Sequence, residues 1–223
     1  MKTLVSFTLL STATLFYAVG QSDPDSLRLT ANVDVVSNYV FRGTKFGSGP
    51  AMQPSLSLNY ANLKIGAWGS YCFTSNEAAE SDIFLSYTLF DKIKIGVTDY
   101  YFPGNDYFDY SDTSGSHAFE LNFGLVLNSF SLNGNYIINK APSAGSAGND
   151  IYVEINYSFR NANLFVGAGN GWHTADQKFN VCQIGLNMSR QIEVSDKFSF
   201  PLTGALIFNP DKKQLFVVAI ISL

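Results

Sequence analysis

Beyond residue 20 this chain has no apolar run long enough for a transmembrane helix, no basic stripe, and little with which to build a metal or disulfide centre. Its 14 Lys and Arg stand against 18 Asp and Glu, for a net charge of -4. A chain without clustered positive charge has nothing to meet a phosphate backbone, so nucleic acid is not an expected partner. Two histidines far apart in sequence form no zinc signature. Without a spanning helix, the only way for the mature chain to cross a bilayer is a closed β-barrel, in which every backbone polar group finds a partner.

The first twenty residues, MKTLVSFTLLSTATLFYAVG, read as a Sec-type signal peptide. Lys2 supplies the positive start, Leu4 to Tyr17 the apolar stretch, and Ala18 and Gly20 the small residues before a cleavage site. Residues 21–223 are then one domain by length, with a mature net charge of about -5 once Lys2 is gone.

What the chain does have is aromatic side chains, 19 Phe and 12 Tyr, and a period of two. Twelve segments of roughly ten residues alternate apolar with small or polar residues. They run over 27–41, 52–60, 62–72, 79–90, 92–102, 116–126, 130–139, 149–159, 163–170, 178–189, 197–208 and 213–223. A soluble sandwich would put the second, polar face in water, whereas a membrane barrel would put it in its lumen. Segment length suits a tilted crossing of about nine to eleven residues. Short links near Ala61, Asp91, Asn128 and Arg160 alternate with longer ones, as periplasmic turns alternate with extracellular loops. The expected fold is all-β: a closed antiparallel transmembrane barrel of about 12 strands, within a range of ten to fourteen.

In that frame the polar face lines a lumen. Asp34, Arg42, Lys64, Trp68, Asp82, Lys94, Glu120 and Glu154 are the expected lining, with Arg42, Lys64 and Lys94 opposing the carboxylates in a transverse field. The same charges could instead pair across a filled interior. Large inward residues such as Trp68, Tyr100 and Tyr152 could obstruct the lumen, and the longest link, 103–115, could fold into it. Tyr39, Phe41, Tyr71, Tyr101 and Tyr157 are expected at the membrane interfaces, where rings with an apolar body and a polar tip belong. The stretch SNYVFRG (37–43) reads as the outer half of the first strand, with Tyr39 and Phe41 toward lipid and Arg42 inward.

Chemistry beyond this is sparse. Ser116, His117 and Glu120 are the nearest approach to an acyl-transfer triad. Adjacent strand residues point to opposite faces, so no catalytic residue is expected. Asp106, Asp109 and Asp112 lie in an acidic loop without the Gly or the final Glu of a calcium-binding EF-hand. Cys72 is expected to face inward and Cys182 outward on well-separated strands, which leaves them unpaired. No metal and no cofactor are expected.

SNYVFRG, followed by MQPSLSLNY with its Gln53 and by LKIGAWGSY, resembles the start of the TorF-type porin family, earlier described as uncharacterised Gram-negative outer-membrane proteins. The match runs over 37–71 and the rhythm continues to 90, with Arg42, Gln53 and Trp68 on the family's recurring marks. The resemblance implies a bacterial outer-membrane barrel that passes small hydrophilic solutes. Its implied partners are outer-membrane lipid, small polar solutes and the outer-membrane assembly machinery. A closed structural or partner-binding barrel is the alternative, and a lipid hydrolase a more distant one. The chain departs from many such barrels in ending on Leu223 rather than an aromatic residue.

Overall fold

A computed structural model describes residues 26–74 and 79–223, so the leader expected over 1–20 lies outside the described residues. The strands in chain order are β1 (Arg28–Val36), β2 (Tyr39–Phe41), β3 (Thr44–Phe46), β4 (Ala51–Tyr60), β5 (Leu63–Cys72), β6 (Ala79–Leu89) and β7 (Ile93–Tyr101). They continue as β8 (His117–Leu127), β9 (Phe130–Ile137), β10 (Ile151–Phe159), β11 (Ala162–Gly169), β12 (Asn180–Ser195), β13 (Phe198–Asn209) and β14 (Gln214–Ser222). Twelve of them close into an antiparallel barrel, β1 pairing with β4 on one side and β14 on the other, while β2 and β3 form a separate hairpin.

The period-two pattern becomes two faces. Leu56, Ile65, Ile83, Ile95, Leu121 and Phe123 point out and are exposed, whereas Ser57, Asp82, Ser86, Thr98, Glu120 and Asn122 point in and are buried. An apolar exterior continuous around the whole barrel is far more than a soluble monomer exposes, and it matches a lipid-facing band. Tyr60, Tyr87, Phe130, Tyr157 and Phe159 ring the end with short turns.

Those turns are tight. Tyr60 pairs with Leu63, Leu127 with Phe130 and Phe159 with Ala162, so each turn holds two residues. The first of each pair, Ala61, Asn128 or Arg160, takes a left-handed φ. The other end carries the longer connections of 102–116, 138–150 and 170–179.

The first expected segment is where sequence and structure part. Its strand ends at Val36, not Phe41. Ser37 still bonds to Ala219 of β14, after which the chain leaves the wall and turns inward as the β2–β3 hairpin. Arg42 and Gly43, at φ 48 and 78, form its two-residue turn between the paired Phe41 and Thr44. Two successive left-handed residues are what a twisted hairpin with a two-residue loop requires. Alternation could not reveal this, because a lumen hairpin and a wall strand share a period of two. At the other end of the chain β12 runs on to Ser195 with a bulge near Glu193, well past the expected end of the 178–189 segment.

Gly43 fixes how deeply the hairpin sits. A Cβ there would run into the backbone carbonyl of Cys182 on β12, and the residue's φ is left-handed. Gly43→Ala is expected to cost ~2 kcal/mol or more, from left-handed strain and a clash with backbone that no rotamer relieves. Thermal conversion of the folded band on unheated gels checks this, and an unchanged midpoint would contradict the seating.

Candidate functional site

The lumen is divided by height. In its long-loop half the inward-facing residues are buried against the hairpin, among them Val36, Ala51, Tyr100, Ala118, Ile137 and Ile220. Toward the short turns the inward-facing Asn59, Lys64, Lys94, Asn133, Asn156 and Asn187 are only half-buried and line a polar vestibule. The protein is thus a cup: stoppered at one end, wet at the other.

Aromatic packing seats the hairpin. Tyr39 lies 5.6 Å from Trp68 of β5 and 5.3 Å from Phe46, and Phe41 lies 6.0 Å from Tyr100 of β7, measured between ring centres. Tyr39 and Phe41 are 7% and 6% exposed. They therefore sit inside the barrel and not at the lipid interface, because the chain has left the wall before reaching them.

At the tip, Arg42 donates two bonds to Glu120 of β8, Nη1 to Oε2 at 2.6 Å and Nη2 to Oε1 at 2.9 Å. Its guanidinium lies 4.5 Å over the ring of Tyr152 on β10. A planar fork meets a carboxylate with two parallel bonds and stacks on an aromatic face with the same group. Glu120 also accepts from the Tyr100 hydroxyl at 3.0 Å and from Asn122 at 2.7 Å. Asn122 accepts in turn from Thr98 and donates to Asn135. A buried ion pair needs such a supporting shell, since Coulomb attraction alone does not offset desolvation of both charges.

Elements beyond the hairpin complete the stopper. Asn209 of β13 donates to the Gly43 carbonyl at 2.8 Å, and Lys212 to the Thr44 hydroxyl at 2.8 Å. A single-turn segment, Gly171–His173, brings Trp172 edge-on to Tyr100 and places His173 beside Arg42. Burial first, and then the Arg42 charge, push the His173 imidazole well below its ordinary pKa. The ring is therefore neutral, and Nε2 accepts from Trp172 Nε1 at 2.9 Å.

The other expected lining residues all face inward, but not as one transverse field. Glu120 holds Arg42 directly instead of opposing it across open space. Asp82, level with Trp68 and Tyr100, lies beside the hairpin rings, and Asp34 on β1 stands between Gln53 and Ser222 of its neighbours, while Lys64 and Lys94 lie nearer the short turns, level with Ser86 and Thr88 of β6. The Lys64 Nζ sits 5.5 Å from the Phe84 ring centre. Glu154 accepts from Tyr152, Asn156 and Gln183, a second bonded cluster on the opposite wall. Tyr71 and Tyr157 face outward and are exposed. Tyr101 faces outward at the long-loop rim, stacked on His117 at 5.2 Å.

That rim also disposes of the inward-folding loop. Residues 103–115 pack outside the barrel, where Tyr110 lies 4.6 Å from His117 and stacks on Phe119. Ser116 and His117 do not meet Glu120. His117 bonds Asp99 at 2.9 Å on the outer face, and the Ser116 hydroxyl donates to the Asp109 carbonyl. Asp109 ties its own loop through Ser111 and Ser114, whose bonds hold its carboxyl below the ordinary range. Cys72 and Cys182 are both free thiols. Cys182 is fully buried and not outward-facing, because the register slips by one residue between β11 and β12 at that point. Sequence reasoning missed Glu80, a buried inward residue of β6 whose phase with Asp82 was the available signal.

The chain belongs to a bacterial protein family of unknown function, Gcw_chp, whose model matches residues 21–198. No curated protein matches it. Among solved structures it is similar to BamA from Haemophilus ducreyi lacking POTRA domains 1–3, at 13% identity and a TM-score of 0.38. The alignment covers 81% of this chain and 41% of that one.

Removing either side of the Arg42–Glu120 pair leaves a buried charge, so Arg42→Ala and Glu120→Ala are each expected to cost about 3–5 kcal/mol. The double variant should cost much less than the sum. Denaturant titration of the folded barrel measures the cycle, and additive losses would mean that the pair does not hold the tip.

Proposed function

We propose that this protein is an outer-membrane barrel of Gram-negative bacteria, closed from outside by its own first loop, and that small hydrophilic solutes pass when the hairpin withdraws. The seating of the β2–β3 hairpin across the lumen carries this reading. The stopper is fastened by one ion pair, a few hydrogen bonds and ring packing, contacts that can open without unravelling the twelve-stranded wall. Behind it lies a vestibule whose Lys64, Lys94 and Asn side chains suit a hydrated solute and would bias which ions enter. The apolar exterior supports lipid as the surrounding partner, and the closed barrel is in keeping with insertion by the outer-membrane assembly machinery. Catalysis has no place in this reading.

A permanently closed structural barrel is the second reading, favoured by how completely the hairpin fills the outer half of the lumen. Single-channel recording in planar bilayers separates the two. The native barrel is expected to be quiet with brief openings. Replacing residues 38–47 by a short Gly–Ser link should give steady steps several-fold larger, and Arg42→Ala frequent openings. A steadily conducting native barrel would remove the stopper from the account, and a folded, silent hairpin-less barrel would establish the structural reading.

A further inference from the structure

Among the described residues, five buried side-chain atoms have no hydrogen-bond partner: both carboxylate oxygens of Asp82, Oδ1 of Asp34, the Tyr39 hydroxyl and the Ser222 hydroxyl. All are oxygens, and the four residues belong to the wall strands β14, β1 and β6 and to the stem of the hairpin. Asp82 and Glu80, 1% and 3% exposed, stand two residues apart on the inward face of β6. Tyr39 packs on Trp68, whose cross-strand partner is Asp82, and this sets the phenol beside both carboxylates.

The Arg42 charge reaches Glu80, but Arg42 makes its hydrogen bonds elsewhere. An ionised carboxylate only accepts. Arg42 gives both of its terminal amino groups to Glu120, and Lys64 and Lys94 lie lower in the lumen. Uncompensated buried charge is costly enough that a counter-ion or a proton must accompany it. Among the described residues no three of His, Cys, Asp and Glu converge on one point. Here two carboxylates face a phenol instead, and Ser70, paired across from Glu80, adds a hydroxyl to the same row.

We propose that Glu80, Asp82 and the Tyr39 hydroxyl bind a divalent cation of the calcium class, which ties the stem of the hairpin to the wall. An all-oxygen site of double negative charge, with no nitrogen or sulfur donor, suits a hard cation. Calcium tolerates irregular coordination completed by water, whereas magnesium demands a near-octahedral shell. The hairpin would then be held twice, at its tip by Arg42 and at its stem by the ion. Binding does not depend on whether the barrel conducts.

The test uses the full barrel refolded in detergent with terbium as the probe, read by emission sensitised through the Trp68 and Tyr39 rings, and then with calcium alone. Saturable emission displaced by calcium is expected. Asp82→Asn and Glu80→Gln should each weaken it at least tenfold, while Glu154→Gln and the loop variant Asp109→Asn leave it unchanged. Calcium should also raise the thermal midpoint of the native barrel and not that of Asp82→Asn. Emission that survives Asp82→Asn, or that is lost with Asp109→Asn, would overturn the site. No saturable emission, with Asp82→Asn stabilising the barrel equally with and without calcium, would mean that the pair holds a proton and would also overturn it.

Discussion

The closed form of this barrel depends on one buried guanidinium. Arg42 sits at a left-handed turn that a non-glycine residue occupies only at a cost, at the end of a hairpin that has left its sheet. Its two bonds to Glu120 and its stacking on Tyr152 compensate that strain and tie the tip to β8 and β10 together. Remove the charge and what remains is ring packing and the bonds from Asn209 and Lys212 to Gly43 and Thr44. Because the pair is buried, salt in the surrounding water screens it little, so the stopper is insensitive to ionic strength.

Around that pair the molecule is organised by height. The outer half is a dry assembly of hairpin rings and inward wall residues that also holds Asp82 and Glu120, level with Tyr100 and Ile137, and the lower vestibule holds lysines and amides. This ordering follows from a simple constraint: an inward charge must be paired where water is excluded and can remain solvated where it is not. Glu120 and Glu154 are satisfied by neighbours on their own wall, whereas the Asp82 oxygens find no donor among the described residues. The expectation of no metal weighed the two histidines and the acidic loop of Asp106, Asp109 and Asp112, and did not weigh acidic residues sharing one strand face.

Much of the wall was legible from the sequence, because alternation and turn spacing are local properties. From Ala51 onward the strands fall within about two residues of the expected segments, apart from the extension of β12 to Ser195. The hairpin was not legible. Tyr39 and Phe41 keep the phase of β1, and nothing in a period of two tells a ring that faces lipid from one that faces another ring. The clue was Arg42–Gly43, a two-residue turn signal inside what read as a continuous strand. Cys182 was placed on the wrong face for a related reason: a bulge shifts phase without changing composition. The family assignment adds bacterial kinship but no activity, so the function rests on the physics of the lumen.

The seating of the hairpin leaves a natural reporter, since Gly43 lies directly against the backbone of Cys182. With Cys72→Ser removing the other thiol, the labelling rate of Cys182 by a small water-soluble maleimide measures whether the stopper is in place. The account predicts strong protection in the native barrel and labelling at least ten times faster, on the order of a 1.4 kcal/mol shift in the closed population, in Arg42→Ala. Equal, rapid labelling of both folded proteins would contradict a hairpin seated in the lumen.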